Sequence, residues 1–317
     1  MTFDADLIVD RRRTRRKLFF WRLAAFVMAA VVLLTAGWLL QGNRLAGKAS
    51  PHIARVTVSG LITTDRKFAA MLKDIGKSEA VKGVIVAVDS PGGTTAGGEE
   101  IYTALRKLAA DKPVVAEMGT LAASAGYMVA IAADHIVAER TTITGSIGVL
   151  FQYGNVGSLL DKLGVEVKTI KSAPLKAEPS PFTYPEQPGA AEMIGRLIDD
   201  TYQWFIDIVA ERRGLDRAVA VKLADGSVYS GRQALDLKLV DAIGGESEAV
   251  AWLESQRGVP ADLPVIDWAP AQPFEPFGLG SLAGLGRLVG LGRLVGLDLS
   301  ALPTQASLDG LVSVWHP

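Results

Sequence analysis

The spacing of apolar and polar positions changes several times along the chain, and each change predicts a different element. Leu18 to Leu40 is apolar except at Arg22 and Thr35. A stretch with no polar face is not an ordinary surface helix. Its uncharged part, Leu23 to Leu40, is 18 residues long, which as a helix reaches about 27 Å and nearly spans a hydrocarbon core. Arg22 lies one turn inside and can snorkel to the interface. Trp21 and Trp38 stand near the two ends, where interfacial aromatics belong. Arg11 to Lys17 (RRRTRRK) places six cations in seven residues just before this stretch, so the N-terminus is expected to stay in the cytoplasm and the rest to be exported. The alternative is a cleaved signal peptide. Against it stand the length of the apolar run and the lack of a nearby A-x-A site.

From His52 the pattern turns to short β-rich runs alternating with amphipathic ones. Strands are predicted at Ile53–Ser59, Gly83–Asp89, Pro113–Met118, His135–Glu139 and Glu166–Ile170. Helices are predicted at Lys67–Ile75, Glu99–Ala110, Ala123–Ala133 and Ser158–Leu163. Gly83–Asp89 (GVIVAVD) is apolar enough to be buried on both faces. This alternation predicts an α/β fold with a mostly parallel sheet covered by helices. A long helix at Gly189–Arg213, stopped by Gly214, is followed by helices around Arg217–Leu223 and at Glu246–Gln256. Between these two, Gly231–Gly245 reads as helix, turn and Gly-rich stop. After Gly258 the composition shifts to Pro, Gly and Leu, and GLGRLV at 284–289 is repeated at 290–295. That glycine content argues against a firm helix.

Composition narrows the chemistry. The 317 residues are 49% hydrophobic and 21% charged, with a net charge of −1. Such a chain builds a core and offers no global electrostatic case for nucleic acid. The absence of cysteine excludes a thiol nucleophile, disulfides and Cys-ligated metal. The three histidines, His52, His135 and His316, show no metal-ligand spacing.

Three segments carry candidate chemistry. Asp89–Gly93 (DSPGG) follows a buried strand and precedes a helix, so it reads as a turn whose backbone N–H groups can face an anion or oxyanion; it reads equally as an ordinary strand-to-helix turn. Leu121–Ala130 (LAASAGYMVA) puts Ser124 at the mouth of a small-residue helix, with the Ala125 N–H next in line. Ser124 is either a cap or a nucleophile. Ile170–Phe182 (IKSAPLKAEPSPF) carries Lys171 and Lys176 among small, apolar and proline residues; it reads either as a loop with solvated lysines or as a docked segment.

A serine nucleophile needs a base. His52 is close to the membrane exit, His135 reads as a satisfied core residue and His316 is penultimate. A neutral lysine can serve instead. A lysine base requires its pKa to fall from ~10.4 toward ~7, which at ~1.36 kcal/mol per unit disfavours the charged form by ~4 kcal/mol. Burial among apolar groups supplies such a shift.

At these residues the sequence resembles the signal peptide peptidase A family, the S49 serine proteases. The resemblance runs from about Ile53 to Ser255. It rests on DSPGG at 89–93, AASAGY at 122–127, TGSIGV at 144–149, KSAPLKAEPSPF at 171–182 and GRQALDLKLVDAIGG at 231–245, in that order. It implies Ser124 as nucleophile, Lys176 rather than Lys171 as general base, Ser146 as the hydroxyl that orients the lysine, and the backbone N–H groups of Gly93 and Ala125 as the oxyanion hole. Ala125 stands where the family usually has glycine, and its extra methyl is expected to narrow the pocket. Met128 stands where many members have tyrosine, with an expected effect on specificity. The family implies a ClpP/crotonase-like fold, a homo-oligomeric ring in which Ser and Lys can come from neighbouring subunits, no cofactor, and cleavage of signal peptides left in the membrane. With one copy of the core, the chain resembles a short form. The expected organisation is a basic cytoplasmic N-terminus at 1–17, a transmembrane anchor at 18–40, a linker at 41–51, a peptidase domain at 52–257 and a Gly/Leu/Pro-rich tail at 258–317. The expected site is the bacterial inner membrane, with the catalytic domain outside the cytoplasm.

Four alternatives compete. They are a SohB-like or stomatin-partner S49 protease with other substrates, an acyl-CoA hydratase or isomerase on the same fold, an α/β-hydrolase using His316, and a non-catalytic membrane scaffold. An exported topology disfavours CoA chemistry.

Overall fold

The computed structural model describes residues 20–28, 31–32, 48–270 and 312–314. The chain divides into two units, 1–52 and 53–317. In the first, residues 20–28 and 31–32 are helical. No helix among the described residues is long and apolar enough to cross a membrane; most of the expected 18–40 span lies outside those residues, as do the GLGRLV duplication and His316.

The second unit is a mixed α/β layer structure. Its elements are β1 (His52–Ile62), α1 (Arg66–Lys77), β2 (Val81–Thr94), α2 (Thr95–Asp111), β3 (Val114–Ala123), α3 (Ala125–Ala130), β4 (His135–Ala138) and β5 (Ile143–Gly145). They continue as α4 (Gly157–Lys162), α5 (Ala190–Arg213), α6 (Arg217–Leu223), β6 (Val228–Ser230), α7 (Gly231–Asp236), β7 (Ala242–Ile243), α8 (Glu246–Arg257), β8 (Val265–Trp268) and β9 (Val312–Val314). The sheet order is β6-β5-β3-β2-β1-β8, with β4 beside β3, β7 beside β4 and β9 beside β2. The β2–β3, β3–β4, β3–β5, β4–β7 and β1–β8 pairs are parallel, whereas β5–β6 and β2–β9 are antiparallel.

The two-faced burial expected of a parallel sheet is visible in the parity of β2 and β3. Val84, Val86 and Val88, with Val114, Ala116 and Met118, join Leu72, Ile75, Leu105, Tyr127 and Phe205 in the larger core. Ile85 and Val115, one position out of phase, join Ile53, Leu253 and Val259 on the other face. Local signals set the helix ends. Asp65 accepts from the Lys67 and Phe68 N–H groups at the start of α1, and Ser230 with Gln233 forms a capping box on α7. Gly214, at φ 59°, ends α5 as its sequence predicts. β8 lies beyond Arg257 and extends the sheet by pairing with β1.

Two expectations need correction. Residues 166–170 are not a strand; they are exposed and irregular. Their alternation has no sheet edge to bury against. DSPGG is not a turn: β2 runs through it to Thr94 with a register shift between Val88 and Ser90, and Thr94 itself caps α2 by accepting from the Gly97 N–H.

Candidate active site

The far end of β2 is held extended by its neighbours. Ser90, fully buried, donates its hydroxyl to the Gly60 carbonyl at 2.6 Å and accepts from the Gly92 N–H at 3.1 Å. The Asp89 carboxylate accepts from the Leu121 N–H at 3.1 Å, tying β2 to β3. At Gly93 the backbone of β1 comes so close that an added Cβ would lie 1.9 Å from the Ile62 carbonyl oxygen. Glycine is therefore the residue this crossing admits.

β3 ends at Ala123, and the chain turns sharply at Ser124, with φ 58° and ψ −120°. A non-glycine residue there costs about 1–3 kcal/mol. The conformation is fixed from both sides: the Ser124 N–H donates to the Gly145 carbonyl at 2.8 Å, and its carbonyl accepts from Met128 at 2.9 Å. The Ser124 side chain makes no capping bond to α3. Gly126 lets α3 press onto β2, since a Cβ there would lie 2.8 Å from the Ser90 carbonyl oxygen.

Ser146 stands one residue beyond Gly145 as Ser124 stands one beyond Ala123, and Ala123 and Gly145 are partners in the β3–β5 ladder. Ser146 also has positive φ, 49°, and its N–H donates to Ser227 at 2.7 Å. Thr144 donates its hydroxyl to the Ala122 carbonyl at 2.7 Å, locking the two strands together. Gly93, Ser124, Ala125 and Ser146 thus gather at one end of the sheet. The Ala125 methyl is buried, and a Cβ on Gly98 would come within 3.2 Å of it. That methyl therefore packs toward α2 instead of narrowing a pocket. Met128 is fully buried beside the same glycine, a core position, which removes the basis for expecting it to touch substrate.

Lys176 is placed differently. It is exposed, on an irregular segment whose contacts are largely its own. Lys171 pairs with the buried Glu178, which also accepts from the Ser180 N–H at 2.7 Å. Val156 N–H donates to Pro181, and Asn155 donates to Thr183. None of these bonds reaches Ser124. The Lys171 hydrogen bond holds the Glu178 carboxyl below the usual carboxylate range. Lys171 is thus engaged as a counter-ion, and Lys176, beside the left-handed Ala177 (φ 62°), is the lysine presented outward. Sequence reasoning missed Ser90, Thr144 and Glu178. The serine and glutamate inside the recognised motifs were the available signal.

Two histidines lie among the described residues. His135 stacks on Trp252 at 4.7 Å and faces Asp241, and burial lowers its pKa. His52 is buried and contacts the Ser50 carbonyl at 2.7 Å. No group of three or more metal-binding side chains occurs among the described residues. A groove of about 780 Å³ between α1 and α2, lined by Leu72, Lys73, Gly76, Glu100 and Thr103, includes none of the site residues.

Comparison with known proteins decides the family. Residues 106–260 match the model of peptidase family S49. A Synechocystis sp. protein named "Putative protease" is 40% identical over 217 residues, covering 68% of this chain and 78% of that one. This chain belongs to peptidase family S49. It is a serine protease. The Enterococcus faecium protein named "Putative signal peptide peptidase SppA" is 34% identical over 236 residues, 70% of this S49 chain and 68% of its own length. Protease 4 of Haemophilus influenzae is 34% identical over 202 residues, which cover 63% of this chain but 32% of that protein.

Proposed function

We propose that the chain is a membrane-anchored serine endopeptidase with a Ser124–Lys176 dyad that degrades remnant signal peptides. The observation that carries this reading is Ser124 itself: a serine held at φ 58°, ψ −120° at the end of a buried strand, with no capping role. Strain of this kind persists where surroundings over-determine it, as at active sites. In the proposed reaction Lys176, neutral, takes the Ser124 proton and the alkoxide attacks the scissile carbonyl. The N–H groups of Gly93 and Ala125 receive the oxyanion. Lys176 returns the proton to the leaving amine, and water hydrolyses the acyl-enzyme. Ser146 bonds the amine and orients it.

Lysine catalysis needs desolvation, and Lys176 is exposed in the single chain. A ring supplies the missing cover if Lys176 of one subunit meets Ser124 of the next. In support, Leu159, Leu163, Val165, Val167 and Ile170 expose 47–103% of their surface on α4 and the segment leading to Lys176. An apolar patch of this kind marks an interaction surface. The apolar N-terminal stretch supports anchoring, and the name of the E. faecium relative supports the substrate class. The test is covalent labelling with a peptidyl phosphonate, with the label mapped by mass spectrometry. Label on Ser124 that is lost in Lys176→Ala is the expected result; label elsewhere removes the dyad. Preference for membrane-embedded signal peptides over soluble peptides tests the substrate.

A further inference from the structure

The helix that follows Ser124 has two ends, and the reaction uses one of them. α3 is six residues long, about 9 Å as a helix, and the turn Ile131–Asp134 follows it. Arg212 of α5 donates from Nε to the Ile131 carbonyl at 3.0 Å and from Nη2 to the Ala133 carbonyl at 2.9 Å. Arg106 of α2 donates to the Ala132 carbonyl between them at 2.8 Å. Three successive carbonyls of buried residues are thus held by two side chains from two other helices. A buried carbonyl that loses its donor is costly to leave unpaired, so the turn would move to find another. The arrangement has its own cost. The two cations repel, and burial lowers the Arg212 pKa; Asp134, 3.7 Å from Arg106, offsets part of that charge.

The two arginines also come from informative places. α2 starts directly after Gly93 and Thr94. α5 starts after Gly189, where a Cβ would lie 3.7 Å from Leu175, the residue before Lys176. The strand of one oxyanion donor, the helix of the other and the helix leading out of the lysine segment are therefore tied at one point. We propose that Arg106 and Arg212 are positioning residues for the peptidase reaction: by fixing the C-terminal end of α3 they set the Ala125 N–H against the Gly93 N–H, so that both face one oxyanion. This rests on the assignment of Ser124 and Ala125 above. The arginines act through α3, not on the substrate. Their loss removes stabilisation of the transition state and leaves substrate binding in place, and a misplacement on the order of 1 Å costs up to about 10²-fold in rate.

The test uses the full chain carrying Arg212→Ala, Arg106→Ala or, as a control, Val259→Ala in the core on the other face of the sheet, assayed well below every melting temperature. Arg212→Ala, which loses two bonds, is expected to lower kcat about tenfold, and Arg106→Ala about threefold, with KM unchanged. The Ki of a peptidyl aldehyde, whose hemiacetal oxygen occupies the oxyanion site, should rise by the factor by which kcat falls. Arg212→Lys, with a single ammonium in place of the planar fork, should recover only part of the loss. Val259→Ala should melt lower with kcat and Ki unchanged. Arginine variants that also melt lower but keep parental kcat and Ki overturn the proposal, and so does a loss of kcat with Ki unchanged. The rate of phosphonate labelling separates this clamp from the reading beneath it. A parent unlabelled at Ser124 fails the nucleophile assignment and the clamp together. Ser124 labelled at the parental rate in both arginine variants fails the clamp alone.

Discussion

The two halves of the proposed dyad are built in opposite ways. Ser124 is buried, strained and tied by its backbone to β5, beside a glycine that the crossing of β1 makes obligatory. Lys176 is exposed on a segment whose hydrogen bonds close on themselves. The proposed nucleophile and oxyanion donors are set by the sheet within one chain. The proposed base is held on a preformed loop that lacks the apolar cover its proposed chemistry requires. On the proposed mechanism, the contrast means that the fold prefabricates the half holding the nucleophile and leaves the half holding the base to be completed by another surface.

The sharpest way to break the contrast is to remove the nucleophile. Ser124→Ala is expected to lower kcat by at least about 10⁴-fold with the circular dichroism unchanged. Ser124→Gly should be as inactive yet melt higher, because glycine relieves about 1 kcal/mol or more of the strain. A Ser124→Gly protein that melts lower would remove the claim that the site stores strain. On the other half, Glu178→Gln should lower kcat on the order of 10- to 100-fold through misplacement of Lys176, while KM changes little. The Glu178 pKa is depressed in the fold, so its contribution is complete above the ordinary glutamate value of ~4.3 and is lost as pH falls through the lowered value. Proteolytic nicking within 171–180 should therefore rise in acid for the parent, and already be high at neutral pH for Glu178→Gln.

A smaller effect, on stability, is expected at the sheet. Gly93→Ala forces a methyl onto the Ile62 carbonyl and should destabilise by about 1–3 kcal/mol or more in urea unfolding. The smallest effect on activity is expected at His135→Gln. The lost stacking on Trp252 should lower the melting temperature slightly, with kcat/KM unchanged. A large loss of activity there would return histidine to the list of bases.

Much of this contrast was legible in the sequence, for physical reasons. Apolar runs such as GVIVAVD, short and rich in β-branched residues, read as doubly buried strands, and the motif blocks brought Ser124, Ser146, Gly93 and Lys176 to attention together. What escaped were features set by distant contacts. DSPGG has turn composition, but the buried Ser90 hydroxyl and the approach of β1 hold it extended. β5, β6 and β8 are three or four residues long, too short to show a period. Residues 166–170 have a strand's alternation but no partner. The Ser124 conformation depends on the Gly145 carbonyl, 21 positions away in the chain, and no local pattern encodes it.

The central claim is that Ser124 and Lys176 complete one another across a subunit boundary, and mixing tests it most directly. Ser124→Ala and Lys176→Ala proteins are each expected to be inactive. Dissociated and reassembled together, they should recover about a quarter of the parental peptidase activity, the share of junctions that pair two intact residues in a randomly mixed ring. Mixed assemblies, proven by differential tagging, that stay as silent as either variant alone would contradict it.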